Sequence, residues 1–281
     1  MPLRFFLLIT LLGALPRASA TAQEAQDPER DAGAEGSSMF IGSFGFHDPL
    51  YFMLGPEPVF NAKFQLSFRF RLFDASFDSR PLDEVPGRGL FVGYTQLSFW
   101  DLDANSQPFF DTSYKPSLFF LYQAIGGRGL SWVYQFDLEF GFQHESNGKD
   151  GLDSRSIDIL YIQPGFTWRV FGRSNLIFAP KAWIYVGKEF QNSDIEEFRG
   201  YFDLQLTWRF DRSLQLRTHT HIGSTGDAGS FQADLTFPMS RLWHPLNFYL
   251  MAQFFDGYAE TILRYDENTE ANWRFGIAFS R

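Results

Sequence analysis

The sequence predicts an all-β protein, a twelve-stranded antiparallel transmembrane β-barrel of the bacterial outer membrane. Three observations carry that expectation. Apolar and polar residues alternate with period two over segments of about ten residues or more, the length a tilted strand needs to cross a bilayer. Aromatic residues make up 19% of the 281, with 35 Phe, yet the mean hydropathy is slightly negative, so greasy and polar positions are both abundant and interleaved. The chain opens on MPLRFFLLITLLGALPRASA, where Arg4 precedes an apolar run from Phe5 to Leu15 and Ala18-Ser19-Ala20 forms a small-residue cleavage site. That reads as a secretory signal peptide over 1–20, too short in its apolar run to span a bilayer as a helix.

The elements follow in order. Residues 21–60 form a polar leader and N-terminal segment. Its first part, 21–38 (TAQEAQDPERDAGAEGSS), has too little apolar surface to join a core. Residues 39–60 hold Phe, Tyr and Met between Pro and Gly, and are expected to cover or plug one end of the domain. The barrel is expected over 61–281. It begins at 63–73, where Phe64, Leu66, Phe68, Phe70 and Leu72 alternate with Gln65, Ser67, Arg69 and Arg71. Similar segments follow at 89–100, 116–125, 130–146, 155–170, 174–188, 198–210, 213–223, 229–238, 245–257, 260–266 and 271–280. Turn-like pieces such as Gly126-Gly127-Arg128-Gly129 and Asp211-Arg212-Ser213 separate them. The last segment alternates Trp273, Phe275, Ile277 and Phe279, as a closing strand should.

A soluble β-sandwich uses the same pattern with its apolar face inward. The aromatic excess, the signal peptide and the strand length favour the barrel, as does the absence of cysteine, which denies an exported fold its disulfide staples. The apolar face then meets lipid. The face carrying Arg69, Arg71, Gln135, Asp137, Glu139, Gln163, Arg169, Gln215, Arg217 and His219 lines the lumen. Loss of residues 1–20 takes Arg4 and Arg17 from a formal charge of −9, leaving 22 basic against 33 acidic residues, or −11. Nucleic acid is a poor partner for that balance. After the signal peptide there is no uninterrupted apolar run of about 18 residues, so membrane-crossing helices are excluded.

Within 142–161, FQHESNGKDGLDSRSIDILY, three polar residues break the greasy parity. Trp132, Tyr134, Phe136, Leu138, Phe140 and Phe142 lead to His144 and Ser146, and on the return strand Asp158 shares its parity with Leu160, Ile162, Phe166 and Trp168. The bland reading is a strand end entering the headgroup layer. The sharper one is nucleophilic acyl transfer, which needs a hydroxyl, a base to take its proton and a group to orient the base. His144 and Ser146 point the same way, and Asp158 meets His144 directly if the two are cross-strand neighbours. The loop between them can turn a backbone N–H, for example that of Ser146 or Gly148, toward an oxyanion. Gln96, in parity with Leu90, Val92, Tyr94 and Trp100, is a lone amide on a lipid face and invites a partner across an interface. His219 and His221 are expected to be lumen lining rather than a metal site, and Asp101, Asp103 and Asp111 to be solvated loop acids.

These motifs carry a resemblance. His144-Glu145-Ser146-Asn147-Gly148 followed by Ser154-Arg155-Ser156 and Leu160-Tyr161 resembles the outer-membrane phospholipase A family. So do Tyr94-Thr95-Gln96 with Trp100, Pro108-Phe109, and Phe255-Asp256-Gly257-Tyr258-Ala259-Glu260. The likeness covers nearly all of 61–281. It implies a calcium-dependent homodimeric phospholipase of A1/A2 type, cleaving phospholipid acyl esters at a site on the outer wall. By that resemblance Ser146 is the nucleophile, His144 the base, and Asp158 the orienter at a position where the family normally has asparagine. It places calcium on the Ser154 hydroxyl and Lys149 carbonyl of one subunit and the Ser106 hydroxyl of the other, with Gln96 in the dimer interface. Asp150 and Asp153 are offset from the family's second, acidic calcium site. Two alternatives remain: a passive or catalytically decayed barrel or pore, and an esterase acting on lipid A.

Overall fold

Period-two alternation puts one face of each segment in lipid and the other in the lumen, and the sheet it builds closes on itself. The computed structural model describes residues 44–56, 60–73, 88–125, 133–210 and 213–281. Among them are twelve strands. The first, β1, runs in two pieces, Phe44–Gly45 and Tyr51–Gly55. It is followed by β2 Asn61–Phe73, β3 Gly89–Asp101, β4 Phe109–Ile125, β5 Gln135–Ser146 and β6 Ser156–Arg169. Strand β7 is interrupted at Pro180 into Asn175–Phe178 and Lys181–Lys188, and β8 Phe202–Phe210, β9 Leu214–Ile222, β10 Gly229–Pro238, β11 Tyr249–Gly257 and β12 Thr269–Ala278 complete the series. Each strand pairs antiparallel with its chain neighbours, and β12 closes on β1, with Phe275 opposite Leu54 and Ala278 opposite Tyr51. Closure satisfies the backbone of every strand from within the sheet, which a bilayer demands. The expected signal peptide, the 21–38 leader, the Gly126–Gly129 turn and the Asp211-Arg212 pair lie outside the described residues.

The number of strands is as expected, but two memberships change. Residues 44–55 are wall, not a plug. Pro49 has no N–H for the ladder, so the strand is split and its longer piece, YFMLG, is too short for its alternation to stand out. Residues 260–266 are no strand. They belong to the β11–β12 loop, in which Ala259 takes a positive φ of 59° and Ile262 and Tyr265 turn into the barrel mouth, joining Ile195, Ile157, Ile159 and Tyr161 in one buried apolar cluster. Ile195 comes from the β7–β8 loop, which carries a short helix, α1 (Ile195–Arg199). The two loops are tied by the Tyr265 hydroxyl donating to Asp194.

Below this cap the lumen is lined by paired polar groups. Lys63 donates to Gln253 Oε1 at 2.7 Å and to Glu260 Oε1 at 3.2 Å. Glu139 accepts from the Tyr161 hydroxyl at 2.8 Å, and Lys181 donates to Gln143 at 2.9 Å. On the opposite face Phe140, Phe142, Leu160 and Ile162 are exposed. That is the outer wall on which the polar residues of interest stand.

Candidate active site

The end of β5 is fixed from the inside. Glu145 points into the lumen, 3% exposed, where it accepts from Arg199 Nη1 at 2.9 Å and lies 3.4 Å from Lys115 Nζ. With Glu145 anchored inward, alternation sends His144 and Ser146 outward. The register of β5 on β6 sets His144 directly opposite Asp158 and Ser146 opposite Ser156, and the imidazole Nδ1 lies 2.8 Å from Asp158 Oδ1. An ionised carboxylate can only accept, so this contact selects the tautomer with the proton on Nδ1 and leaves Nε2 with its lone pair. Both side chains are about one-third exposed, at 35% and 37%, on the face of Phe142 and Leu160. Ser146 shares that face, one pleat from His144, without a hydrogen bond to it; such contacts commonly tighten only when substrate is bound.

The loop after Ser146 is held by one buried amide. Asn147 Oδ1 accepts from the backbone N–H of Lys149 (3.3 Å) and of Arg155 (3.1 Å), while its Nδ2 donates to the Asp153 carbonyl at 2.8 Å. Gly148 follows with φ +67°, tucked against Tyr114, whose ring a Cβ there would meet at 3.1 Å. Lys149 Nζ crosses to the Phe110 carbonyl at 2.8 Å. The Lys149 carbonyl and Ser154 hydroxyl make no hydrogen bond, so this loop offers uncommitted hard oxygen atoms of the kind calcium prefers. Ser106 sits exposed on a different loop, between β3 and β4. Among the described residues no cluster of three His, Cys, Asp or Glu side chains could hold a metal ion.

Gln96 is not a lone amide. Its Oε1 accepts from the Tyr94 hydroxyl at 3.0 Å, its Nε2 donates to Ser98 Oγ at 3.1 Å, and Thr112 donates onward to Ser98 at 3.1 Å. Cross-strand register then runs Gln96, Tyr114, Ser146, Ser156 across β3 to β6, so the outer wall carries a continuous polar band leading to the serine. His219 and His221 do face the lumen, gathered around Asp203 at 2.9 and 3.5 Å. The loop acids are not merely solvated: Asp101 accepts from the N–H of Asp103 and Ala104, and buried Asp111 accepts from that of Leu263 at 3.0 Å.

Two residues that alternation did not single out support the site. Asn192, buried, exchanges both of its amide bonds with the backbone of Ser156, and Gly187 lies opposite Asp158 on β7. Asn192 sits in a loop, where no periodicity marks it.

Comparison with known proteins fits this geometry. The Phospholipase A1 family model matches residues 56–280. Phospholipase A1 of Escherichia coli (strain K12) is 30% identical over 208 residues, covering 73% of this chain and 65% of that protein, so this chain spans about two-thirds of the curated relative's length. Among solved structures, an active-site mutant of outer membrane phospholipase A from Escherichia coli, with one asparagine changed to alanine, superposes with TM-score 0.69 at 23% identity, covering 91% of this chain and 94% of that one. The Salmonella typhi outer membrane phospholipase dimer with bound calcium superposes with TM-score 0.68 at 23% identity, covering 84% and 92%. At that identity these two likenesses speak for the fold.

Proposed function

This chain belongs to the phospholipase A1 family, and on that footing we propose that it is an outer-membrane phospholipase that hydrolyses acyl esters of glycerophospholipids and lysophospholipids, at either acyl position. The observation that carries the proposal is the outward-facing His144–Asp158 pair with Ser146 beside it on the lipid face of the wall. Ser146 Oγ attacks the ester carbonyl carbon while His144 Nε2 takes the hydroxyl proton. Asp158 holds the Nδ1–H and stabilises the imidazolium that forms. The C–O bond then breaks, His144 passes its proton to the departing alcohol, and water attacks the acyl-serine by the same route to release the fatty acid. The backbone N–H groups of the loop after Ser146 are the available oxyanion donors.

Asp158 takes the part that asparagine plays in the family. The active-site asparagine of the Escherichia coli relative supports that assignment. The Lys149 carbonyl, the Ser154 hydroxyl and the Ser106 hydroxyl of a second copy would hold calcium, which when bound supplies positive charge beside the developing oxyanion. The amide of Gln96 keeps one N–H and one lone pair uncommitted after its bonds to Ser98 and Tyr94, and a two-fold axis there would pair it with its own copy. The calcium-bound dimer of the Salmonella typhi relative supports a homodimeric, calcium-loaded active form. Against a passive pore stand the paired polar groups that line the lumen and the apolar cap at one mouth.

The test is fatty-acid release from purified phospholipid in detergent micelles during a calcium titration, with cross-linking followed in parallel. Wild type should show calcium-stimulated release and dimer. Ser146→Ala should abolish release and keep the heat-modifiable migration of a folded barrel. Release by Ser146→Ala at the wild-type rate would sink the assignment.

A further inference from the structure

Opposite the site, the alternation of β7 slips by one residue. Leu160 faces Ile184 and Ile159 faces Tyr185, but Asp158 faces Gly187, which leaves Val186 as the extra residue of a β-bulge. Ile184 and Val186 are exposed on the outer wall, so simple alternation would turn residue 187 to the lumen. The bulge brings it beneath outward Asp158 instead. It also sends Lys188 opposite lumenal Ile157, where its Nζ meets Glu196 of α1 at 2.7 Å.

At Gly187 the space is already taken. A Cβ there would lie 2.7 Å from Asp158 Oδ2, 3.3 Å from its Cβ and 3.4 Å from its Cγ. The carboxylate therefore lies across bare backbone, with Oδ1 committed to His144. Gly187 has no positive φ, so no left-handed backbone calls for glycine there; the space taken by the carboxylate does.

We propose that Gly187, placed by the bulge at Val186, is a positioning residue for hydrolysis: it vacates the space in which Asp158 holds the His144 imidazole in line with Ser146. The inference rests on the phospholipase reading above. Strand β6 is held to β7 on both sides of the pair, at Ile159–Tyr185 and Ile157–Lys188, so an added methyl group presses first on the Asp158 side chain. Near-contact begins at 3.4 Å against the 2.7 Å available, so the side chain of Asp158 must retreat by about 0.7 Å. Oδ1 of the same carboxylate is the atom bonded to His144 Nδ1 at 2.8 Å, so a shift of the carboxylate alters that hydrogen bond. A misplacement of that order in a catalytic group costs on the order of 10²-fold in rate.

Gly187→Ala is therefore expected to lower kcat by roughly 10- to 100-fold, with KM nearly unchanged, the acidic limb of the pH profile displaced, and heat-modifiable migration intact. A role acting through Asp158 also predicts non-additivity: in an Asp158→Ala background, Gly187→Ala should have no further effect. The low-field Nδ1 proton resonance of His144, read by NMR of the barrel in detergent, should be present in wild type, lost in Asp158→Ala and shifted in Gly187→Ala. The inference is overturned by an unchanged His144 resonance in Gly187→Ala, or by the same fold loss of kcat in both backgrounds. Absence of calcium-stimulated hydrolysis in wild type would defeat the phospholipase reading, and the resonance would still decide the positioning of His144.

Discussion

Glu260 offers the sharpest test of what holds the barrel mouth. It stands in the β11–β12 loop and lowers its carboxylate into the lumen between two cations. Lys63 Nζ lies 3.2 Å from Oε1, Arg274 Nη1 binds the same oxygen, and Arg274 Nη2 lies 3.2 Å from Oε2. Relative exposures are 5% for Glu260, 2% for Lys63 and 0% for Arg274. Lys63 also donates to Gln253, and Arg274 to Asn61, both neutral groups. Glu260→Gln keeps the shape and removes the charge that lies between a buried lysine and a buried arginine. Breaking a buried ion pair from one side costs about 3–5 kcal/mol, most of it the desolvation of the stranded partner. The urea midpoint of the folded barrel in detergent, followed by heat-modifiable migration, should fall by an amount equivalent to that. Burial alone would raise the Glu260 carboxyl, but Lys63 and Arg274 outweigh it and hold it below the ordinary carboxylate range. A depressed carboxylate contributes stability in full above its unfolded pKa, and that contribution disappears as pH falls through the lower folded value. Wild type should thus lose stability on acidification in a step that Glu260→Gln lacks. A change below about 1 kcal/mol, the scale of an exposed pair, or identical acid curves for the two proteins, would refute the reasoning.

Two further outcomes follow from the site. Asp158→Asn should stay active, because an amide oxygen still accepts from Nδ1–H; the lost charge on that hydrogen bond is worth roughly 1 kcal/mol, about fivefold in kcat. A folded barrel of that variant with no measurable hydrolysis would mean that the carboxylate charge itself is required. Asn147→Ala removes the acceptor of two loop N–H groups and should raise the calcium concentration for half-maximal hydrolysis by about 10-fold or more, the usual cost of losing a support behind metal ligands; an unchanged calcium requirement would show that the loop keeps its shape without it.

How much of this could be read before the fold was known depends on whether a residue lies in an unbroken strand. Phe140, Phe142, His144 and Ser146 lie on one, and so do Asp158, Leu160 and Ile162, so parity alone put the polar three on the outer wall. That Asp158 meets His144 is conditional on their being cross-strand neighbours, and the register of the two strands supplies that condition. Legibility ended where alternation is interrupted or imitated. Pro49 split β1 below the length at which period two is visible. Residues 260–266 alternate well enough to pass for a strand, yet their apolar members serve the mouth cap, a tertiary contact that no local pattern encodes. The bulge at Val186 inverts the parity of Gly187, so counting by twos points it to the wrong side of the wall. Gln96 reads as isolated because its partners Tyr94 and Ser98 are i±2 neighbours on its own strand, whose hydroxyls the apolar count passes over.

If the proposed hydrolysis holds, the outward placement of His144 and Ser146 also changes what substrate concentration means for this protein. A pocket open to water samples solute by volume. A nucleophile in the lipid-facing wall samples only the molecules that drift past it in the plane of the leaflet, so its turnover answers to the mole fraction of cleavable lipid among inert neighbours. Diluting the suspension leaves that fraction unchanged, whereas adding inert lipid to the same bilayer lowers it. On the proposed function, supply to such a site is governed by the composition of the leaflet it faces.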